Sequence, residues 1–101
     1  MTSVIRYRTK PEWSEENQRL VEKVYAELGS GNPGGIRYAT LRLEDGVTFL
    51  HIFMTDSDDG ENALSSSPAF AEFQKDLPQR CDEQPEAQSA TIVGSYRALS
   101  T

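Results

Sequence analysis

The chain has 101 residues, of which 37% are hydrophobic, enough for one core and too few for two ordinary domains, so residues 1–101 are expected to form a single unit. Sixteen Asp and Glu against ten Lys and Arg give a net charge of -6, which repels phosphate backbones and anionic lipid and makes nucleic acid an unfavoured partner. A single cysteine, Cys81, has no partner for a disulfide, no stretch has the apolar length of a membrane span, and no secretory leader opens the chain, so the expected compartment is the cytoplasm.

Ser3 to Lys10 mixes Val4, Ile5 and Tyr7 with Arg6 and Arg8 and reads as a strand ended by Pro11. Ser14, followed by Glu15 and Glu16, reads as a helix start whose hydroxyl accepts from an orphan amide. Asn17, Leu20, Val21, Val24, Tyr25 and Leu28 then recur at three- and four-residue steps and form one helical stripe, stopped by the Gly29 to Gly35 segment with Pro33 in it.

Ile36 to Leu43 and Val47 to Met54 are two β-rich runs around Asp45-Gly46, a hairpin signal. A two-residue loop places Ala39, Leu41, Leu43, Leu50, Ile52 and Met54 on one face and Tyr38, Thr40, Arg42, Phe49, His51 and Phe53 on the other. A bulge at Gly46 would shift that parity. The aliphatic face is expected to meet the helices and the aromatic one to stay open. Asp56 to Asn62 reads as a solvated acidic loop, and Ser67-Pro68 as the cap and first turn of a second helix that carries Phe70, Phe73 and Leu77 and ends near Arg80. Cys81 to Glu86 reads as a connector, and Ala90, Ile92, Val93 and Tyr96 mark the last strand.

The order strand, helix, strand, strand, helix, strand predicts an α+β, ferredoxin-like βαββαβ fold, an antiparallel sheet with two helices on one face. Two helices leave the other face bare, and an open patch of Tyr38, Phe49 and Phe53 predicts a homodimer joined sheet to sheet.

Tyr38 after the Gly34-Gly35 turn, the aromatic third strand, and Ser67-Pro68-Ala69-Phe70-Ala71-Glu72-Phe73 together resemble the dimeric α+β barrel superfamily, whose best-known branch is the antibiotic biosynthesis monooxygenases. Within it, the run Val47-Thr48-Phe49-Leu50-His51 is similar to that of a branch of small uncharacterised proteins. The resemblance implies a dimer and, in one branch, an oxygenase that needs no cofactor. The haem-degrading branch uses an Asn on strand one, a Trp ending strand three and a His on helix two. None stands here, since the only Trp is Trp13 and the only His is His51, so no cofactor is expected.

His51, between Phe49 and Phe53, is the candidate catalytic base, or else a buried histidine that bonds Thr40 across the strand pair. Tyr7, Arg37, Tyr38 and Arg42 can orient a phenolic or carboxylate ligand, and Tyr7, Arg37, Tyr38, Phe49 and Phe53 form the candidate substrate-binding set for a small aromatic ligand. Arg6 and Arg8 share a face and are expected to pair with acidic residues across the dimer. Trp13 and Asn17 border the start of helix one, as a pocket rim or a packing staple. Gly29 to Gly34 matches G-x-G-x-x-G but leaves a helix for a strand, the reverse of a dinucleotide turn. The acidic loop lacks EF-hand spacing, and Cys81 has neither metal nor nucleophile context, so no metal site is expected. Two functions stay open: a cofactor-independent monooxygenase-like enzyme acting on a small aromatic or quinol substrate, and a dimeric small-molecule-binding or accessory protein without turnover.

Overall fold

A computed structural model of the protein describes residues 2–55 and 64–97. The expected acidic loop and the last few residues lie outside them.

Strand β1 runs Thr2–Thr9, helix α1 Ser14–Gly31, strands β2 and β3 Ile36–Arg42 and Thr48–Thr55, helices α2 and α3 Pro68–Lys75 and Leu77–Arg80, and strand β4 Cys81–Ala90. The strands form one sheet in the order β2-β3-β1-β4, every pair antiparallel. This is the expected ferredoxin-like arrangement.

Helix α1 buries the predicted stripe, with Asn17, Leu20, Val21 and Val24 inside and Tyr25 and Leu28 packed at its margin. Its ends differ from the reading above. The chain enters α1 through a 3-10 turn over Pro11–Trp13, and the Ser14 hydroxyl caps nothing: it bonds the Thr9 hydroxyl at 2.8 Å and the Lys10 carbonyl. The helix stops inside the expected segment, but not on a glycine. It continues to Gly31, and Asn32, at φ 46°, takes the left-handed position with its N–H on the Leu28 carbonyl.

The hairpin keeps the favoured parity, with Tyr38 opposite Phe53, Thr40 opposite His51 and Leu41 opposite Leu50. Its turn is longer than two residues. Gly46 N–H donates to Leu43 and Leu43 N–H to Thr48, so Glu44 to Val47 form the connection, an even number that leaves the faces unchanged. Asp45 braces it by accepting from the Val47 and Thr48 amides and the Thr48 hydroxyl.

The helices cover the opposite face from the one expected. Tyr7 and Phe49 are each 1% exposed and pack with Val24 and Phe73 under the helices, joined by His51 at 4%. The aromatic rings bring the volume that fills the space between sheet and helices, and their polar tips find partners inside it. Val4, Ala39, Leu41, Leu50, Ile52 and Met54 therefore lie on the face without helices, where Leu41 is 38% exposed.

The last strand also moves. β4 is the polar segment Cys81–Ala90, and Ile92, Val93 and Tyr96 lie beyond it, exposed. β4 is a sheet edge held by backbone pairing and by Arg6 and Arg8, which grip Glu83 and Asp82 of β4 within the same chain. An edge strand bathed on both faces needs no apolar alternation, and Pro85 is tolerated where the pairing with β1 slips between Arg6 and Arg8.

Candidate functional site

His51 sits in the middle of β3, on the face under the helices, with Tyr7 on β1 and Tyr38 on β2 flanking it. The Tyr7 hydroxyl lies 2.8 Å from His51 Nε2, and the Tyr38 hydroxyl 2.5 Å from Nδ1. Thr40, opposite His51, adds its hydroxyl at 3.2 Å from Nδ1 and bonds Tyr25 of α1 at 2.8 Å. On the other side Asn17 Nδ2 donates to the Tyr7 hydroxyl at 2.8 Å, and Arg80 Nε donates to Asn17 Oδ1 at 3.1 Å. Arg80 also donates to the Phe73 carbonyl and lies over the Phe73 ring.

These partners assign the protons. A guanidinium only donates, so Asn17 must turn its oxygen to Arg80 and its NH2 to Tyr7. The buried Tyr7 hydroxyl then accepts from Asn17, and its own proton has His51 Nε2 as the acceptor. With Nε2 protonated instead, that hydroxyl would lose its acceptor at a cost of about 1 to 3 kcal/mol. His51 therefore carries its proton on Nδ1 and donates to Tyr38 and Thr40.

Burial pulls the His51 pKa down to about 4, so the ring is neutral near pH 7. Burial also pushes both tyrosines well above the ordinary phenol range, against a bond from Asn17 that lowers Tyr7 and one from Thr40 that lowers Tyr38. Cys81 is buried, its thiol raised by desolvation. Among the described residues no group of three or more His, Cys, Asp or Glu is placed to hold a metal.

A cleft opens between the sheet and α2 in two lobes of about 420 and 350 Å³, sharing Ile5, Tyr38, Phe70 and Gln74. Tyr7 and His51 line the larger lobe and Phe53 the smaller. Apolar rings and a polar cluster at one end suit a small aromatic molecule with an oxygen substituent.

Of the predicted site residues, the structure brings together His51, Tyr7 and Tyr38, with Phe53 edge-on to Tyr38. Phe49 stacks behind Tyr7, beneath the guanidinium of Arg42, and lines neither lobe. Arg37 is exposed and pairs with Met54 on the sheet face away from the cleft. Arg42 is occupied by Glu15 and Gln18. Trp13 stays 44% exposed beside Glu16 and Leu20, in a groove apart from the cleft. Arg80, Tyr25 and Gln74 were not singled out as site residues. One signal was present for Asn17, a carboxamide in an otherwise apolar helical stripe; nothing local marks Arg80.

No family model and no curated protein matches the sequence. Solved structures do. Rv0793 from Mycobacterium tuberculosis superposes with a TM-score of 0.74 at 12% identity, covering 94% of this chain and 97% of that one. A structure described as an antibiotic biosynthesis monooxygenase gives 0.73 at 12% identity over 93% and 100% of the two chains. The cofactor-independent oxygenase SnoaB from Streptomyces nogalater gives 0.64 at 16% identity over 93% and 96%. The chain thus has the α+β ferredoxin-like fold of the antibiotic biosynthesis monooxygenase-like proteins.

Proposed function

We propose that the protein is a cofactor-independent monooxygenase-type enzyme acting on a small hydroxyarene or quinol held in the cleft under α2. The observation that carries this reading is the convergence of His51, Tyr7 and Tyr38 on an apolar cavity of about 420 Å³. The fold shared with SnoaB, a cofactor-independent oxygenase, supports it. In such a reaction the substrate supplies all four electrons that oxygen takes up. One oxygen atom becomes a new ring carbonyl, the other leaves as water, and a hydroxyarene becomes a quinone. The protein contributes a dry pocket and a polar end at which the substrate is held as its oxyanion, its hydroxyl proton having passed to solvent. His51, donating to Tyr38, leaves the Tyr38 proton for that oxyanion, and Tyr7 fixes the imidazole from behind.

A homodimer belongs to this reading, joined through the aliphatic sheet face around Leu41 and Ile52 and not through the aromatic face. A lone cysteine fits the reducing cytoplasm, and no described helix is long and apolar enough to cross a membrane.

Oxygen uptake with 1-naphthol and 1,5-dihydroxynaphthalene, each with an open ring position para to a hydroxyl, tests the proposal. Wild type is expected to consume oxygen and form quinone, and Tyr38→Phe and His51→Ala to lose about 100-fold or more in rate. Absence of uptake with every hydroxyarene, or equal rates in well-folded variants, would overturn it. A second reading, binding without turnover, is favoured by one observation: both ring nitrogens of His51 are already bonded inside the protein. Its mark would be saturable binding of the same compounds with no oxygen consumed.

A further inference from the structure

The hydrogen-bond chain from Arg80 to Tyr38 has a direction, and it is set at the end remote from the cleft. Arg80, at 4% exposure, is a buried cation that appears in none of the ion pairs among the described residues. Such a charge is costly to bury, and its bonds go to Asn17 and the Phe73 carbonyl. Because it can only donate, each group after it receives a proton from the Arg80 side and hands one on: Asn17 to Tyr7, Tyr7 to His51 Nε2, and His51 Nδ1 to Tyr38. Tyr38, which lines both lobes, is the last member. Thr40 takes the other branch of the Nδ1–H bond and pairs with Tyr25.

We propose that this chain makes the Tyr38 hydroxyl a proton donor to the cleft, so that the site takes its ligand as an oxyanion, a phenolate or enolate, with Arg80 as the remote positioning residue. The inference rests on the cleft being the ligand site but not on turnover. The surroundings of Tyr38 fit a hydroxyl that donates. His51 faces it from β3, Tyr7 lies beyond on β1, Tyr25 stacks on it from α1 at 5.2 Å, Thr40 flanks it on β2, and α2 offers the uncharged Phe70 and Gln74. No carboxylate is among the described residues that line the two lobes, so none there opposes a bound anion. An oxyanion held by preorganised neutral donors in an apolar pocket is stabilised more strongly than in water, because those donors need not reorient. It also places the substrate in the electron-rich form that reacts with oxygen.

The chain's single histidine makes the test direct. With 15N-labelled histidine, the ring nitrogens of the full chain should show the Nδ1–H tautomer, and bound 4-nitrophenol, whose phenol and phenolate absorb differently, should have its apparent pKa lowered by about one unit, a tenfold preference for the anion. Asn17→Asp is the reversing variant. A carboxylate accepts from both Arg80 and Tyr7, so Tyr7 must now accept from His51 Nε2–H, and Tyr38 must donate to Nδ1. The tautomer should switch and the phenolate preference disappear. Arg80→Lys, still only a donor, should keep both, and Arg80→Gln should lose the preference; a purely structural Arg80 would change stability without moving the probe. An Nε2–H tautomer in wild type, or a bound probe with an unshifted pKa, overturns the inference and leaves the cleft as a binding site. Failure of 4-nitrophenol to bind at all overturns both.

Discussion

Burial of His51 ties the protein's stability to pH. Its pKa is about 4 in the folded chain against an ordinary 6.5, so the unfolded chain binds a proton more readily. The stability associated with keeping this ring neutral is complete above pH 6.5 and is lost as pH falls toward 4, amounting to roughly 3 kcal/mol over that window. Asp45, pulled down to about 2 by the Thr48 hydroxyl and the Thr48 and Val47 amides, acts in a lower window. His51→Gln should therefore flatten the slope of urea midpoint against pH between 6.5 and 5, and an unchanged slope would refute the assignment. As the chain's only histidine, His51 was legible from residue type alone, and the two tyrosines from their ability to orient a phenolic ligand. Asn17 was named without its role, because a hydrogen bond spanning ten positions of sequence exists only once α1 is laid against β1.

Among the elements, α2 carries the roof of the cleft and depends on its first turn. Ser67 accepts from the Phe70 amide at 3.0 Å, Pro68 opens the helix, and the Ser67 hydroxyl also donates to Glu27 of α1. Ser67→Ala should cost about 1 kcal/mol and lower Tm by roughly 4 to 8 °C. Hydrogen exchange at the Phe70 amide should accelerate with it; a melt indistinguishable from wild type would show that the cap contributes nothing. Ser67-Pro68 was readable because a cap and its proline are adjacent in sequence. Ser14 had the same local appearance, yet its hydroxyl went to Thr9, a partner supplied by the neighbouring strand. β4 escaped for a related reason. Its stability comes from backbone pairing with β1 and from ion pairs with Arg6 and Arg8, neither of which leaves an apolar period in the chain.

At the scale of the whole molecule, the dimer proposal rests on the aliphatic sheet face that the helices leave uncovered. Leu41→Asp should leave the helix-covered core intact and convert a dimer to a species of 11.3 kDa, measured by sedimentation. A wild-type mass of 11.3 kDa would end the dimer proposal. Sequence by itself determined the order of elements, the stripe of α1, the parity of the hairpin and hence the fold class, because period, capping and turn chemistry act over a few residues. Only the tertiary structure decided which sheet face the helices cover. β3 is apolar on both sides, so alternation has no preferred direction there, and the choice fell to the face whose rings fill the space beneath α1 and α2 while Tyr7, His51, Tyr38 and Thr40 satisfy one another. It alone also assembled the line from Arg80 to Tyr38, since its members come from five separate elements and meet only when all five have packed.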